Sequence, residues 1–242
     1  MLILALETST PTASVAIMEV PFGGKDSFGR EKILGEFTLN LSGAHSERLM
    51  PAIDSLLRET SLSIGDIQGM ALALGPGSFT ALRIGVSTVK GLVYGLKIPV
   101  VGVSTLEALA YNVPYSSSVI CPALDARKKE VYAALFRGDG SGKIIRTSED
   151  WVVSPEELFR RITEDTLFLG NGVEVYEEVF RETLGARASF GSPELSLPRA
   201  LNVAKLSLPK FQRGETLDLF TFTPIYIRRS EAEIRYETKE NN

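Results

Sequence analysis

Short apolar runs alternate with stretches of helical period along this chain. Residues 1–6 form an apolar run that reads as a buried strand. Residues 12–20 form a second, rich in Val, Ile and Ala, with the polar turn ETSTP between the two. The glycines and charges of PFGGKDSFGREK mark an exposed loop over 21–30. Alternation over 33–41 predicts a third strand, so three antiparallel strands joined by hairpins open the fold. A helix follows over 46–58, with Ser46 as its N-cap and Leu49, Met50, Ile53, Leu56 and Leu57 at helical spacing. Pro51 either kinks this helix or delays its regular part. A strand at 69–74, a long helix at 79–97, a strand at 100–103 and a further helix complete a βββαβαβα order up to about residue 112.

The second half has a different rhythm. Runs 119–124, 130–136 and 144–147 predict antiparallel strands. Ser154 caps a helix with Pro155 in its first turn and Glu156 and Glu157 near its positive end. A strand at 166–169 ends in GNG, a helix covers 175–184, and 200–211 forms another that Pro209 limits. Residues 224–229 form a last extended piece, and the tail ETKENN frays. The expected organisation is an α/β chain in two lobes, 1–112 and 113–242. Two α/β halves are consistent with an ancient duplication.

With 242 residues the chain can bury a real core. Its net charge of -4, with no dense Lys/Arg window beyond Arg228-Arg229, argues against a free-standing tRNA or DNA binder. Cys121 is the sole cysteine, so an intrachain disulfide is excluded. The run SVICPALD reads as its buried, inert setting. The first residues, MLILALETS, lack the basic start and apolar length of a secretory signal, and no stretch reaches membrane-span length, so the cytoplasm is the expected compartment.

The chemistry-bearing motifs are incomplete. GPGSFTALR places a glycine turn before a helix, which can cradle phosphate on backbone N–H groups. It lacks the Gly-Lys-Ser/Thr ending of a Walker loop and the third glycine of a dinucleotide fingerprint, so it reads first as a tight strand-to-helix turn. His45 is the sole histidine, which excludes a zinc site of several His and Cys ligands. Its place before a helix suggests a surface or capping residue. No GxSxG elbow supports a Ser-His-Asp triad built on it. Asp125 sits between two strands as a turn residue. Glu7, Ser9 and Asp125 are the candidates for a nucleotide-hydrolysing cleft. Within the long helix, Gly85, Gly91 and Gly95 each cost about 1 kcal/mol relative to alanine. Leu82, Val86, Val89 and Val93 face a sheet, while Ile84, Thr88, Gly91 and Gly95 form a separate strip of mostly small residues. That strip can accept another helix, either 46–58 of this chain or one from a partner.

LALETSTPTASVAI, HSERLMPAIDSLL, GPGSFTALRIGVSTVKGL, IPVVGVSTLEALA, DARKKEVYAALF and PIYIRRSEAE, in this order, resemble the TsaB (YeaZ) family. The resemblance implies the actin-like, sugar-kinase-like fold in two lobes. It also implies a part in making N6-threonylcarbamoyladenosine beside the tRNA anticodon. The related TsaD carries the transfer chemistry and has two metal-ligand histidines, at places that fall here on Thr105 and Leu109. The resemblance therefore implies a non-catalytic partner of TsaD with no catalytic, cofactor or metal residues of its own. It implies a homodimer when alone, TsaE as a further ATP-hydrolysing partner, and tRNA met only through the complex. The partner-binding helices would offer Ser46, Leu49, Met50 and Ile53 from one and Ile84, Ser87, Thr88, Gly91 and Gly95 from the other. The loop 21–30 departs from the family's tight hairpin. A metal- or ATP-dependent enzyme of the same fold, a glycoprotease-like hydrolase or an ATPase, is the alternative.

Overall fold

The computed structural model describes residues 1–21, 31–40 and 45–228. The loop expected over 22–30, the end of the third strand at 41, and the tail lie outside the described residues. The first lobe contains β1 (Leu2–Glu7), β2 (Thr12–Glu19), β3 (Lys32–Asn40), α1 (His45–Glu59), β4 (Gly69–Ala73), α2 (Phe79–Leu96), β5 (Val100–Val103) and α3 (Thr105–Ala110). Its sheet runs β3-β2-β1-β4-β5. β1 pairs antiparallel with β2, setting Leu4 opposite Ile17, and parallel with β4, setting Leu6 opposite Leu72. A central strand covered on both faces needs a continuous apolar run, which LILALE supplies. Leu4 and Leu6 meet Leu49, Ile53 and Leu56 of α1 and Val86, Val89 and Val93 of α2. Ile3 and Ala5 face the other way.

The second lobe holds β6 (Val119–Arg127), β7 (Glu130–Ala133), β8 (Phe136–Gly138), β9 (Ile144–Arg146), β10 (Trp151–Val153), α4 (Pro155–Arg161), β11 (Thr166–Leu169), α5 (Asn171–Leu184) and β12 (Ala188–Phe190). Its main order is β10-β7-β6-β11-β12, with β8 and β9 paired beside β6. Strand for strand, this repeats the first sheet. β6 pairs antiparallel with β7 and β7 with β10, while β11 lies parallel to both β6 and β12. A cluster of Phe159, Phe168, Phe180 and Phe190 fills the core, with Phe180 edge-on to Phe159 and Phe168 at 4.8 Å.

The last helix, α6 (Ala200–Arg213), crosses back. A division at residue 112 assigns it to the second lobe, yet Ala200, Val203 and Ala204 pack on Ile3, Ala5 and Ala16 of the first sheet. Small side chains on both surfaces let helix and sheet approach closely. α3 bridges the lobes in the opposite sense, with Leu106 and Leu109 packed on Ile120 and Phe136. The two crossing helices are pinned together where the Asn202 amide donates to Ala108 O at 2.9 Å and to Asn112 Oδ1 at 2.6 Å.

Several local expectations are corrected. α1 begins at His45, so Ser46 is an exposed first-turn residue rather than the N-cap. The helix continues through the exposed Pro51, where a carbonyl freed by the missing N–H can meet water. The single strand at 130–136 is two strands. Side chains alternate without a break, Val131 and Ala133 toward one core cluster and Ala134 and Phe136 toward the other, but the outer neighbour changes from β10, paired up to Ala133, to β9, paired from Phe136. The short strands β10 and β12 carry too few residues to show a period. α5 starts four residues earlier than expected, and α6 runs past Pro209 to Arg213. Residues 224–228 are extended without joining a sheet, tied by Ile225 N–H to Leu74 O at 2.8 Å. The Ser154 cap is present, its hydroxyl oxygen accepting from the Glu157 amide. Among the described residues no helix is long and apolar enough to cross a membrane.

Candidate functional site

The carboxyl ends of the central parallel strands of both sheets open onto one cleft, the usual place for a ligand in an α/β fold. The cleft has a volume of about 840 Å³. The first lobe lines it with the turn after β1 (Ser9 to Pro11), the loop after β4 (Pro76 to Ser78) and the first turn of α2. The second lobe lines it with the β6–β7 turn from Asp125 to Lys128 and with Asn171 at the start of α5. The glycine loop is tight because it must be. A Cβ at Gly77 would stand 2.6 Å from Ser9 Cβ, and the Ser78 amide donates to Ser9 O at 2.7 Å. The loop is thus the close strand-to-helix turn read from the sequence. It also leaves the Ser78 side chain without a capping bond, so the first amides of α2 have no side-chain partner from the N-cap.

Of the three carboxylate and hydroxyl candidates, Ser9 and Asp125 line this cleft from its two sides, whereas Glu7 is buried and does not line it. Glu7 is fully buried, and burial raises its carboxyl to about 7 against two bonds from Ser9 that favour the charged form. The Ser9 hydroxyl and amide both donate to Glu7 Oε1 at 2.5 Å, while Glu7 Oε2 has no partner. Asp125 Oδ1 accepts from the Arg127 amide at 2.8 Å, and its own amide donates to Asn171 Oδ1 at 3.1 Å. Asp125 therefore organises a turn, as its position between strands suggested. That turn is unusual: Arg127, Lys128 and Lys129 all have φ between 55° and 61°. Non-glycine residues seldom hold this left-handed region, and strained segments cluster at functional sites.

Sequence reasoning missed His45. It is 3 % exposed, not a surface residue, and lies in the cleft wall. Burial lowers its pKa against hydrogen bonds to the backbone of Thr10 and Thr12, and Nε2 has no partner. No periodicity marks it, since its burial comes from the neighbouring β1–β2 turn. Thr105 and Leu109 are both fully buried; Leu109 packs with Leu106 and Phe136. Among the described residues no three His, Cys, Asp or Glu side chains gather as a metal site.

The expected docking residues divide in two. Leu49 and Ile53 are 1 % exposed and belong to the core between α1 and the sheet, so they are not available to a partner as the helices stand. α1 and α2 lie side by side, and Ile84 packs partly against the same core. Ser46, Met50, Ser87, Gly91 and Gly95 are exposed, and Thr88 is half-buried. Nothing lies within 4 Å of where a Cβ would sit at Gly91 or Gly95. Gly85 is the opposite case, since its Cβ would overlap Thr8 Oγ1 beneath the helix. Its cost in helix propensity is offset by packing inside the chain; that of Gly91 and Gly95 is not.

A family model described as TsaD, tRNA N6-adenosine threonylcarbamoyltransferase, matches residues 32–236. The chain is 30% identical to the tRNA threonylcarbamoyladenosine biosynthesis protein TsaB of Bacillus subtilis (strain 168), covering 98% of each. It is 29% identical to the TsaB of Escherichia coli (strain K12), covering 99% of this chain and 100% of that one. Among solved structures, YeaZ from Pseudomonas aeruginosa superposes with a TM-score of 0.75 at 27% identity, covering 93% of this chain and 99% of that one.

Proposed function

The chain belongs to the TsaB family, which acts in tRNA threonylcarbamoyladenosine biosynthesis, and from that premise we propose that it serves as a non-catalytic partner of TsaD. In this reading TsaD transfers the threonylcarbamoyl group, and this chain docks on it through the exposed side of α1 and α2. The observation that carries the reading is the pair of open glycines. Gly91 and Gly95 weaken a long helix by about 1 kcal/mol each, and among the described residues no atom lies within 4 Å of where a Cβ would sit at either. A bare backbone on α2, with Met50 of the adjoining α1 46% exposed, suits the close approach of a second helix. The same surface would pair two copies of the chain when TsaD is absent, and TsaE would join the assembled complex. A net charge of -4 fits a protein that meets tRNA through its partners rather than alone. These roles place the protein in the cytoplasm.

An enzymatic reading has less support. The Ser9 hydroxyl donates to Glu7, which could serve as its base, but Ser9 is 1 % exposed and Glu7 fully buried, so the pair is not open to a substrate. The test is a modification assay with TsaD, TsaE, ATP, a preformed activated threonylcarbamoyl donor and unmodified tRNA, with and without this chain. Modification should depend on the chain, and the chain without TsaD should produce none. Transfer by this chain alone would overturn the reading.

A further inference from the structure

The segment that follows α6 returns to the first lobe and runs beside α2. The Leu217 amide donates to Val100 O at 2.8 Å, and Leu217, Leu219 and Phe222 pack on the core beneath α1 and α2. Two residues seven apart on one stripe of α2 fasten it there. Arg83 Nε donates to Tyr226 Oη at 3.1 Å. Lys90 Nζ donates to Phe220 O at 3.3 Å and sits 4.7 Å from the centre of the Phe222 ring. Tyr94, one turn beyond Lys90, continues this stripe. Gly91 and Gly95 lie between it and the side of α2, marked by Ile84 and Leu92, that packs against the core shared with α1.

Phe220 breaks the inward pattern of this segment. It is 78% exposed, and Tyr94 beside it on α2 is 69% exposed. The turn holds Phe220 outward. Asp218 Oδ1 accepts from the Phe220 amide at 3.0 Å, from the Thr221 amide at 3.0 Å and from the Thr221 hydroxyl at 2.9 Å. With its amide on Asp218 and its carbonyl on Lys90, the Phe220 backbone is fixed at both ends. At the usual size of an aromatic side chain, the two residues leave about 300 Å² in water. A patch of this size on a monomer is often functional. It is more than a third of the roughly 800 Å² that one partner commonly gives to a stable interface.

We propose that Phe220 and Tyr94 are apolar anchors for TsaD, extending the interface beyond α1 and α2 onto the segment after α6; this rests on α2 facing TsaD, as read above. The open glycines let a helix of the partner approach, with Met50 of α1 on one flank and the two aromatics on the other. The contacting helix is therefore apolar along both flanks. Lys90 is already engaged by the Phe220 carbonyl and the Phe222 ring, so contact there buries no unpaired charge.

Calorimetric titration of TsaD with the full-length chain tests this. Phe220→Ser and Tyr94→Ser should each weaken binding by at least about tenfold. Both replace exposed side chains, and serine and tyrosine have similar helix propensities. At dilutions where the chain is monomeric, the variants should therefore melt with the wild type. Wild-type affinity for TsaD in either serine variant overturns the proposal. If Gly91→Arg still loses binding in that case, α2 remains the docking face and the aromatics are not its anchors. Serine variants that lose self-association yet keep their affinity for TsaD assign the patch to a second copy of this chain, and the proposal falls as well.

Discussion

Replacing Gly91 by arginine separates docking from folding because the two respond with opposite signs. Gly91 is exposed in the middle of α2, and no atom lies within 4 Å of its missing Cβ. The folded chain therefore has room for the side chain. Arginine is a better helix former than glycine by most of 1 kcal/mol, so the isolated variant should gain roughly 0.5–1 kcal/mol. For a chain of this size, compared at dilutions where the wild type is also monomeric, that raises the melting temperature by about 1–4 °C. At a close helix–helix contact the same guanidinium would be stripped of water without a partner, at a cost of several kcal/mol. A loss of about 3 kcal/mol corresponds to a dissociation constant raised more than about 100-fold. Calorimetric titration against TsaD and thermal unfolding of the isolated variant read the two effects. Light scattering should show the variant as a monomer. If Gly91→Arg melts no lower than the wild type and binds TsaD with the same affinity, α2 is not the docking surface.

Other substitutions probe the fold around that surface. Gly85→Ala should lower stability by about 1–2 kcal/mol, because overlap with Thr8 outweighs the propensity gain; a rise in melting temperature would refute this. Glu7 gives a pH test. Burial lifts its carboxyl to about 7, above the ordinary value of about 4.5, so the native state holds the proton more tightly than the unfolded chain. The stabilisation is complete below about pH 4.5 and disappears as pH rises through 7, a loss of roughly 3 kcal/mol. Glu7→Gln should flatten this decline in denaturant titrations at pH 6 and 8.5, and parallel curves for the two proteins would count against a protonated Glu7. Asn202→Leu should cost about 1–3 kcal/mol by stranding Asn112 Oδ1 and Ala108 O between the crossing helices, and unchanged urea unfolding would refute it.

What the sequence revealed depended on whether a signal was local. β1, α2 and β5 were readable because each carries its own period or run of apolar residues, and the Ser154 cap because its bond spans three residues. The sheet face of α2, from Leu82 to Val93, was legible for the same reason. The break after Ala133 was not, since it arises where the neighbouring strand changes from β10 to β9, a change that leaves the alternation of side chains intact. The helix α6 was legible but its place was not, because its alanines suit either sheet and its attachment to the first is fixed by Ile3, Ala5 and Ala16, about 190 residues away in sequence. At the cleft, the GPGS turn announced itself. His45 did not, because a lone histidine has no period and its burial is supplied by Thr10 and Thr12. On the docking side the small-residue strip was legible, but the core role of Leu49 and Ile53 appears only once α1 lies on the sheet.

The repeated topology explains why a cleft exists and why its two walls differ. In each sheet a parallel strand beside the central one ends in a glycine-containing turn that starts a helix. In the first lobe Gly77 presses on Ser9, at the end of β1. In the second, Gly172 presses on the end of β6, where a Cβ would stand 2.8 Å from Ala123 O and 2.9 Å from Leu124 C. These contacts require a bare backbone, so they limit both walls to the same close turn and direct α2 and α5 toward the same space. Side chains are under no such limit. The first wall carries hydroxyls and the unpaired nitrogen of His45, while the second carries Asp125 and the cationic turn at 127–129.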